Sequence, residues 1–176
     1  MAKKSTKTPP RNVPERDDYY MGLAFWIASK SKDPATQNGA VIVSQSNRII
    51  GTGYNGPPAP YDDDAMDWSR PFKYPHIIHA EENAIDCCTA HWQLPGSTIY
   101  ITARPCKNCI LRLANVRISK VVWFPMNHDP ESMVVQDAEL IEDIGKRSKL
   151  ELVEFKGNLN WMRDRLAYMV EKLNIF

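Results

Sequence analysis

The order of apolar patterns along the chain restricts its fold more than any other feature. Some segments carry apolar residues at helical spacing, and runs rich in β-branched residues alternate with them. The order predicts the elements α-β-β-α-β-α-β-α-β-α at residues 19–31, 39–44, 48–54, 79–91, 97–103, 106–115, 120–124, 137–145, 149–155 and 160–174. The tripeptide Gln45-Ser46-Asn47 between the first two strands indicates a hairpin. We therefore predict an α/β chain with three α/β/α layers around a five-stranded mixed sheet.

Length and composition indicate one domain. The chain has 176 residues, 43% of them apolar, which is enough for one hydrophobic core. Residues 1–16 carry three prolines and no periodicity, so we expect a flexible arm there and a single domain over 17–176. The first apolar run, MGLAFWIA, follows acidic residues and is too short to cross a bilayer. We expect a cytoplasmic protein without membrane contact, whose cysteines serve metal binding or catalysis rather than disulfides.

The charge of the chain is almost balanced. It has 22 basic and 21 acidic side chains and a net charge of +1. A domain that binds polynucleotides usually carries a basic excess, so the balance gives no support to a nucleic-acid partner. A small anionic ligand needs only one or two local cations and remains compatible with this charge.

One histidine and two cysteines are spaced as metal ligands. His79 precedes Glu81 by two positions, and the stretch PCKNC at 105–109 follows. Its proline suits the first turn of a helix, and the N–H groups and dipole at a helix N-terminus favour thiolates. Two thiolates and a neutral imidazole balance the charge of Zn²⁺ and leave a fourth position open. That arrangement is typical of a catalytic zinc site.

Two further cysteines raise the question of a fourth protein ligand. If residues 79–91 form one helix, Cys87 and Cys88 lie about 12 Å from His79 along its axis, because each residue rises about 1.5 Å. A Zn–S bond is only about 2.3 Å long, so these cysteines cannot share the metal of His79. We expect both to be small buried hydrophobic residues. A second site formed by Cys87 and His91 is the alternative.

Glu81 is the candidate proton carrier. A carboxylate two positions after a ligating histidine can reach a water at the metal without binding the metal itself. In hydrolytic deamination it would accept the proton of the water, protonate the ring nitrogen beside the attacked carbon, and then protonate the departing ammonia. H-x-E followed by P-C-x-x-C is the signature of zinc-dependent deaminases. The alternatives are a non-catalytic zinc-binding module, which needs a fourth protein ligand, and a redox pair, which has no use for His79 and Glu81.

Four longer stretches of sequence indicate one branch of the zinc-dependent deaminases. Residues 19–152 resemble the dCMP deaminase branch of the cytidine deaminase-like family, on the stretches SKDPATQNGAVIV (31–43), GTGYNGPP (51–58), KYPHIIHAEENAI (73–85) and PCKNC (105–109). The resemblance implies a cytidine deaminase-like fold that converts dCMP and water to dUMP and ammonia. It also implies one Zn²⁺ per subunit, bound by His79, Cys106 and Cys109. A deaminase of bases within a polynucleotide would use the same motif, but the charge balance argues against it.

The resemblance also implies substrate contacts. The backbone N–H of Ala80 would hold the pyrimidine carbonyl, and Asn55 would contact the nucleotide. Gly53 and Gly56 would let the backbone approach a ligand closely. Lys30 stands where relatives commonly have an arginine and is the candidate for the 5′-phosphate, although a lysine lacks the bidentate fork of arginine.

Two positions depart from the pattern of that branch. Asn38 replaces the valine usual before Gly-Ala, and its amide could add a hydrogen bond. Many relatives place a substrate-contacting aromatic residue after the fourth strand, whereas this chain reads FPMNHD at 124–129. His128 is the candidate substitute there.

Regulation and assembly are further implications of the resemblance. Members of this type are commonly hexamers, activated by dCTP with Mg²⁺ and inhibited by dTTP, so we expect a homo-oligomer, a hexamer, with these effectors. The loop at 55–75 contains the acidic stretch YDDDAMDW, whose residues Asp62, Asp63 and Asp64 are candidate ligands of a Mg²⁺–triphosphate. A solvated acidic turn is the alternative. An effector bound there would act on the loop that also carries Asn55.

Overall fold

The computed structural model describes residues 11–126 and 133–173. Its helices are α1 (Arg16–Ala28), α2 (Ala80–Asp86), α3 (Lys107–Asn115), α4 (Met133–Gln136), α5 (Ala138–Ser148) and α6 (Asn160–Leu173). Its strands are β1 (Gly39–Val43), β2 (Ile49–Tyr54), β3 (Thr98–Ile101), β4 (Lys120–Trp123) and β5 (Glu151–Glu154). Most of the predicted arm, residues 1–10, lies outside the described residues, and the arm's last residue, Arg16, already belongs to α1.

The strands form one mixed sheet in the order β2-β1-β3-β4-β5. Strand β1 runs antiparallel to both β2 and β3, whereas β3, β4 and β5 run parallel to one another. Parallel neighbours need a crossover connection, and α3 and α5 lie in the two crossovers. The five-stranded mixed sheet predicted from the sequence is confirmed, and so is the hairpin of β1 and β2.

Alternate residues of β1, β3 and β4 belong to two separate cores, one on each face of the sheet. One core combines Ile42, Ile99 and Val121 with residues of α2, α3 and α5. The other combines Val41, Tyr100 and Val122 with residues of α1 and with Phe155. Because side chains of a strand point alternately to its two faces, a strand buried on both faces reads as a continuous apolar run. The two cores lie between the sheet and the helices on either face, as the predicted three-layer arrangement requires.

Helix α2 is shorter than predicted, and this corrects part of the sequence interpretation. It ends at Asp86, because the backbone N–H of Thr89 turns away to donate to the carbonyl of Ile50 on β2. Cys88 is buried in the core as expected, but Cys87 is exposed, so its interpretation as a buried hydrophobic residue is wrong. His91 begins a separate 3₁₀ turn, so the helical i, i+4 spacing behind the alternative site at Cys87 and His91 does not exist.

No helix within the described ranges has the length and apolar character that crossing a bilayer requires.

Candidate active site

The N-terminal ends of α2 and α3 meet and bring the three predicted metal ligands together. His79 and Cys106 are the residues directly before α2 and α3, both with extended backbone, and Cys109 lies in the first turn of α3. The backbone N–H of His79 donates to the carboxylate of Glu82 at 3.2 Å, which caps α2 and holds the histidine backbone. Two helix starts therefore place one imidazole and two thiols at a common point.

The distances among the three ligand atoms fit a tetrahedral zinc ion. The Nδ1 atom of His79 lies 3.3 Å from Sγ of Cys109 and 3.7 Å from Sγ of Cys106, and the two sulfurs are 3.6 Å apart. Bonds of about 2.3 Å to sulfur and about 2.0 Å to nitrogen give tetrahedral edges of about 3.5–3.8 Å. Within the part of the chain that the structure describes, this is the one cluster of three or more possible metal-ligating side chains. The donor set is thus fitted to Zn²⁺ and has no fourth protein ligand among those residues.

Without a metal, the ligands share protons among themselves. A hydrogen bond with Cys109 is the main cause that lowers the pKa of Cys106 to about 4, and a bond with His79 adds to it. A hydrogen bond with Cys106 raises the pKa of His79 to about 9 against the opposing effect of burial. The pKa of Cys109 is raised by its hydrogen bond with the Cys106 thiolate and by burial. These shifts favour a Cys106 thiolate beside a protonated His79, and metal binding has to displace the protons held by His79 and Cys109.

Glu81 lies beside the ligand cluster without belonging to it. Its residue is only 6% exposed. Burial raises the pKa of its carboxyl group, while the nearby charge of His79 and a hydrogen bond from Cys109 oppose that rise. A raised pKa makes this carboxylate a better proton acceptor than an ordinary one, which suits a group that carries protons.

Asn55 follows β2 directly and is buried. Its Oδ1 accepts the backbone N–H of Asn38 at 2.7 Å, and its Nδ2 donates to the backbone carbonyl of Thr36 at 2.9 Å. The backbone carbonyl of Asn55 in turn accepts the hydroxyl of Ser31 at 2.7 Å. An amide has two N–H donors and an oxygen with two lone pairs, so one donor and one lone pair remain for a nucleotide. The predicted substrate contact stays a prediction.

The long loop returns to the metal ligands at its base. Gly56 and Ile78 exchange two backbone hydrogen bonds of 3.1 and 2.9 Å, which places Asn55 beside the segment that enters His79. Gly53 packs against α2, and its predicted close approach to a ligand stays a prediction. A Cβ atom at this position would lie 2.3 Å from backbone atoms of α2, so Gly53 allows β2 and α2 to pack closely.

The other predicted binding residues lie at the ends of elements. Ala80 is the first residue of α2, where a backbone N–H has no acceptor within the helix. Lys30 is exposed just after α1, next to Ser31, which contacts Asn55. The side-chain oxygen of Asn38 lies 3.4 Å from the hydroxyl of Thr102, so its amide faces the end of β3.

The acidic stretch forms an exposed turn. Asp62 and Asp64 are exposed, and Asp62 accepts the backbone N–H of Asp64 at 3.2 Å. Asp63 begins a 3₁₀ turn. The described side chains of this stretch take part in no cluster of three possible metal ligands. His128 lies outside the described residues.

The sequence interpretation missed a buried ion pair next to Asn55. The ammonium of Lys73 lies 2.7 and 2.6 Å from the two carboxylate oxygens of Asp33, and the two residues are 2% and 3% exposed. Both residues belong to stretches that carry the resemblance, SKDP and KYP. The sequence shows each residue within its own motif, but nothing in either segment pairs the two charges.

Comparisons with known proteins agree with this site. The family model "Cytidine and deoxycytidylate deaminase zinc-binding region" matches residues 14–125. The deoxycytidylate deaminase of Mus musculus is 37% identical over 124 residues, which cover 66% of this chain and 69% of that protein. That of Homo sapiens is 37% identical over 115 residues, which cover 62% of this chain and 64% of that protein. The match thus spans about two thirds of each relative.

The fold is also similar to that of a solved deaminase structure. The crystal structure of dCMP deaminase from the cyanophage S-TIM5 in apo form superposes with a TM-score of 0.61, covering 82% of this chain and 100% of that one. Its sequence identity is 22%, so this likeness concerns the fold alone.

Proposed function

The chain belongs to the cytidine and deoxycytidylate deaminase zinc-binding family, and we propose that it converts dCMP and water to dUMP and ammonia. One observation carries the proposal. His79, Cys106 and Cys109 converge at the spacing of a zinc site, and the buried carboxyl group of Glu81 lies beside them. The activity named for the mouse and human relatives supports dCMP as the substrate.

The three donors would hold the metal, and Glu81 would move the protons. Zn²⁺ bound there supplies a positive charge that makes water more acidic. The carboxylate of Glu81 accepts one proton from the attacking water while the water oxygen bonds to the ring carbon that carries the amino group. It then protonates the neighbouring ring nitrogen.

Loss of ammonia completes the reaction. The second proton of the water passes through Glu81 to the amino nitrogen, and the carbon–nitrogen bond breaks with its electron pair leaving on ammonia. Atoms balance as dCMP plus water to dUMP plus ammonia. Because Glu81 returns to its carboxylate form, it is ready for another turnover.

Residues around the cluster would orient the nucleotide. The free N–H of Ala80 would donate to the pyrimidine carbonyl. The unused donor and lone pair of Asn55 would contact the nucleotide, and the ammonium of Lys30 would contact the 5′-phosphate. Lys30 is exposed and lies one position from Ser31, which contacts Asn55 and so supports this placement.

We further propose that the protein assembles as a homo-oligomer, a hexamer, in the cytoplasm, where its zinc-binding thiols stay reduced. Large apolar side chains at the surface support association, since such surface is often covered by a partner; they include Trp26, Phe72, Trp92 and Leu111, between 52% and 78% exposed.

The acidic loop is the proposed place for an effector. The exposed carboxylates of Asp62 and Asp64 would contribute to a Mg²⁺ ion whose other oxygens come from dCTP, since Mg²⁺ is often bound by one or two carboxylates together with phosphates. Asp63 is the third candidate in the same stretch. dTTP would compete as the inhibitor.

A substrate panel tests the proposed function. The zinc-loaded protein is incubated with dCMP, dCTP, cytidine or single-stranded DNA, and released ammonia is measured. The proposal predicts fastest release from dCMP. Fastest release from single-stranded DNA would instead assign the protein to deaminases of polynucleotide bases, and no release from any substrate would make it a non-catalytic zinc protein.

A further inference from the structure

The ion pair of Asp33 and Lys73 is unusual for its burial. Among the ion pairs formed by described residues, it is the one in which both side chains are buried. Removing two charges from water is costly, and apolar side chains of similar volume often give equal or greater stability. A gain in stability is therefore a weak explanation for a charged pair at this place. Because its hydrogen bonds are directional, the pair can instead hold two segments of the chain in one relative position.

The carboxylate of Asp33 organises the segment that surrounds Asn55. Besides the ammonium of Lys73, its Oδ1 accepts the backbone N–H groups of Ala35 and Thr36 at 2.8 and 3.1 Å. Burial alone would raise the pKa of Asp33, but the hydrogen bonds from Lys73 and these two N–H groups hold it below its ordinary value. The group is thus a carboxylate that accepts several charge-assisted hydrogen bonds, which are stronger than neutral ones.

The ordered segment in turn holds the Asn55 side chain. The backbone carbonyl of Thr36 accepts the Nδ2 donor of Asn55, and the backbone N–H of Asn38 donates to its Oδ1. The hydroxyl of Ser31 is shared in the same network, because it contacts the backbone N–H of Asp33 and the carbonyl of Asn55. The orientation of the Asn55 amide therefore depends on the backbone that Asp33 organises.

Lys73 connects this network to the metal-binding end of the loop. It precedes His79 in the same segment, and its backbone N–H donates to Ser69 while its carbonyl accepts from His76. Five positions after Lys73, Ile78 exchanges backbone hydrogen bonds with Gly56, which closes the loop. The ion pair and this closure hold the loop at two separate points.

We propose that Asp33 and Lys73 are positioning residues that hold the Asn55 amide in the orientation required for nucleotide binding. They act through Asn55 and the 35–38 backbone and do not themselves touch the substrate. This inference rests on the proposed function, since it assumes that Asn55 contacts the nucleotide. Asp33 and Lys73 thus contribute to substrate affinity, whereas Glu81 transfers the protons.

The test compares the wild type with Lys73→Met and with the double variant Asp33→Leu/Lys73→Met. The double variant leaves no unpaired charge, so it separates positioning from the folding defect that Lys73→Met alone could cause. In the double variant we expect zinc content near one per chain, a kcat within about threefold of wild type, and a KM for dCMP raised at least about tenfold. A double variant with the KM of the wild type would overturn the proposal.

A second measurement does not depend on the substrate. Hydrogen–deuterium exchange of the Asn38 backbone N–H reports its bond to the Asn55 side chain, which neither substitution removes directly. We expect this N–H to exchange faster in the double variant; unchanged exchange would contradict the positioning role. If instead the wild type fails to deaminate dCMP while exchange at Asn38 responds as expected, the proposed function is wrong and the coupling to Asn55 stands.

Discussion

The imidazole Nδ1 of His79 lies 3.3 Å from the sulfur of Cys109, although the two residues are 30 positions apart in the chain. One residue ends the long loop before α2, and the other lies in the first turn of α3. The fold thus joins two separate sequence motifs at one metal site. The site depends on the start of α2 and on the start of α3. Substitutions at its residues can therefore be tested separately for their effects on bound zinc and on turnover.

Removal of one ligand should remove the metal. Cys106→Ala leaves two protein ligands, so we expect bound zinc to fall well below one per chain and deamination to be lost together with it. Elemental analysis after dialysis measures the zinc. The control is Cys87→Ala, because Cys87 is exposed and lies outside the ligand cluster. Full zinc retention in Cys106→Ala would contradict the assigned ligand set.

Lys30 should affect phosphorylated substrates selectively. Loss of a charge-assisted contact costs about 1.5–3 kcal/mol, which corresponds to roughly a 10- to 150-fold increase in KM. Lys30→Ala should therefore raise the KM for dCMP by this factor and leave the weak reaction of deoxycytidine almost unchanged. Lys146→Ala, an exposed lysine on α5, is the matched control. Equal effects on both substrates would remove Lys30 from the phosphate site.

Acid should weaken the fold partly through Asp33. Its pKa is lower in the folded chain than its ordinary value of 3.8. The carboxylate thus stabilises the fold fully above that value, and the contribution is lost as the pH falls through the folded pKa. Urea unfolding between about pH 5 and pH 2, which covers the range below the ordinary pKa, should show a smaller loss of stability in Asp33→Leu/Lys73→Met than in the wild type, since both proteins keep the same zinc ligands. Parallel losses would show that Asp33 contributes nothing to the pH dependence.

Regulation should appear in the kinetics. We expect sigmoidal dependence on dCMP that becomes hyperbolic with dCTP and Mg²⁺, and inhibition by dTTP, because an effector on the loop that carries Asn55 changes the affinity for substrate. Replacement of Asp62 and Asp64 by asparagine should abolish the response to dCTP and preserve basal turnover. Hyperbolic kinetics that ignore both triphosphates would exclude this regulation and leave the deaminase assignment untouched.

The convergence of the three candidate zinc ligands and the sheet could be predicted because their signals are local. Each half of the metal motif lies within a few residues, and each strand of the sheet has its own apolar run. The pair of Asp33 and Lys73 could not be predicted, because the partners are 40 positions apart and no sequence period connects them. The end of α2 could not be predicted either, since it depends on the bond between Thr89 and β2.

The role of Glu81 distinguishes chemistry from metal binding. Glu81→Gln keeps the size of the side chain and leaves the three ligands intact, so zinc should stay near one per chain. Loss of a general acid–base group typically costs about 10²–10⁴-fold in rate, and we expect kcat to fall by at least about 100-fold. Glu139→Gln, an exposed glutamate on α5, should behave as the wild type.

Hydrolysis of dCMP in water enriched in the heavy isotope of oxygen tests the central claim most directly. With zinc-loaded protein, mass spectrometry should show dUMP that carries the heavy oxygen at the former amino position, with one ammonia released for each dUMP formed. Glu81→Gln with its zinc bound should form almost none. The absence of labelled dUMP from the wild type, or undiminished formation by Glu81→Gln, would contradict the account of this site.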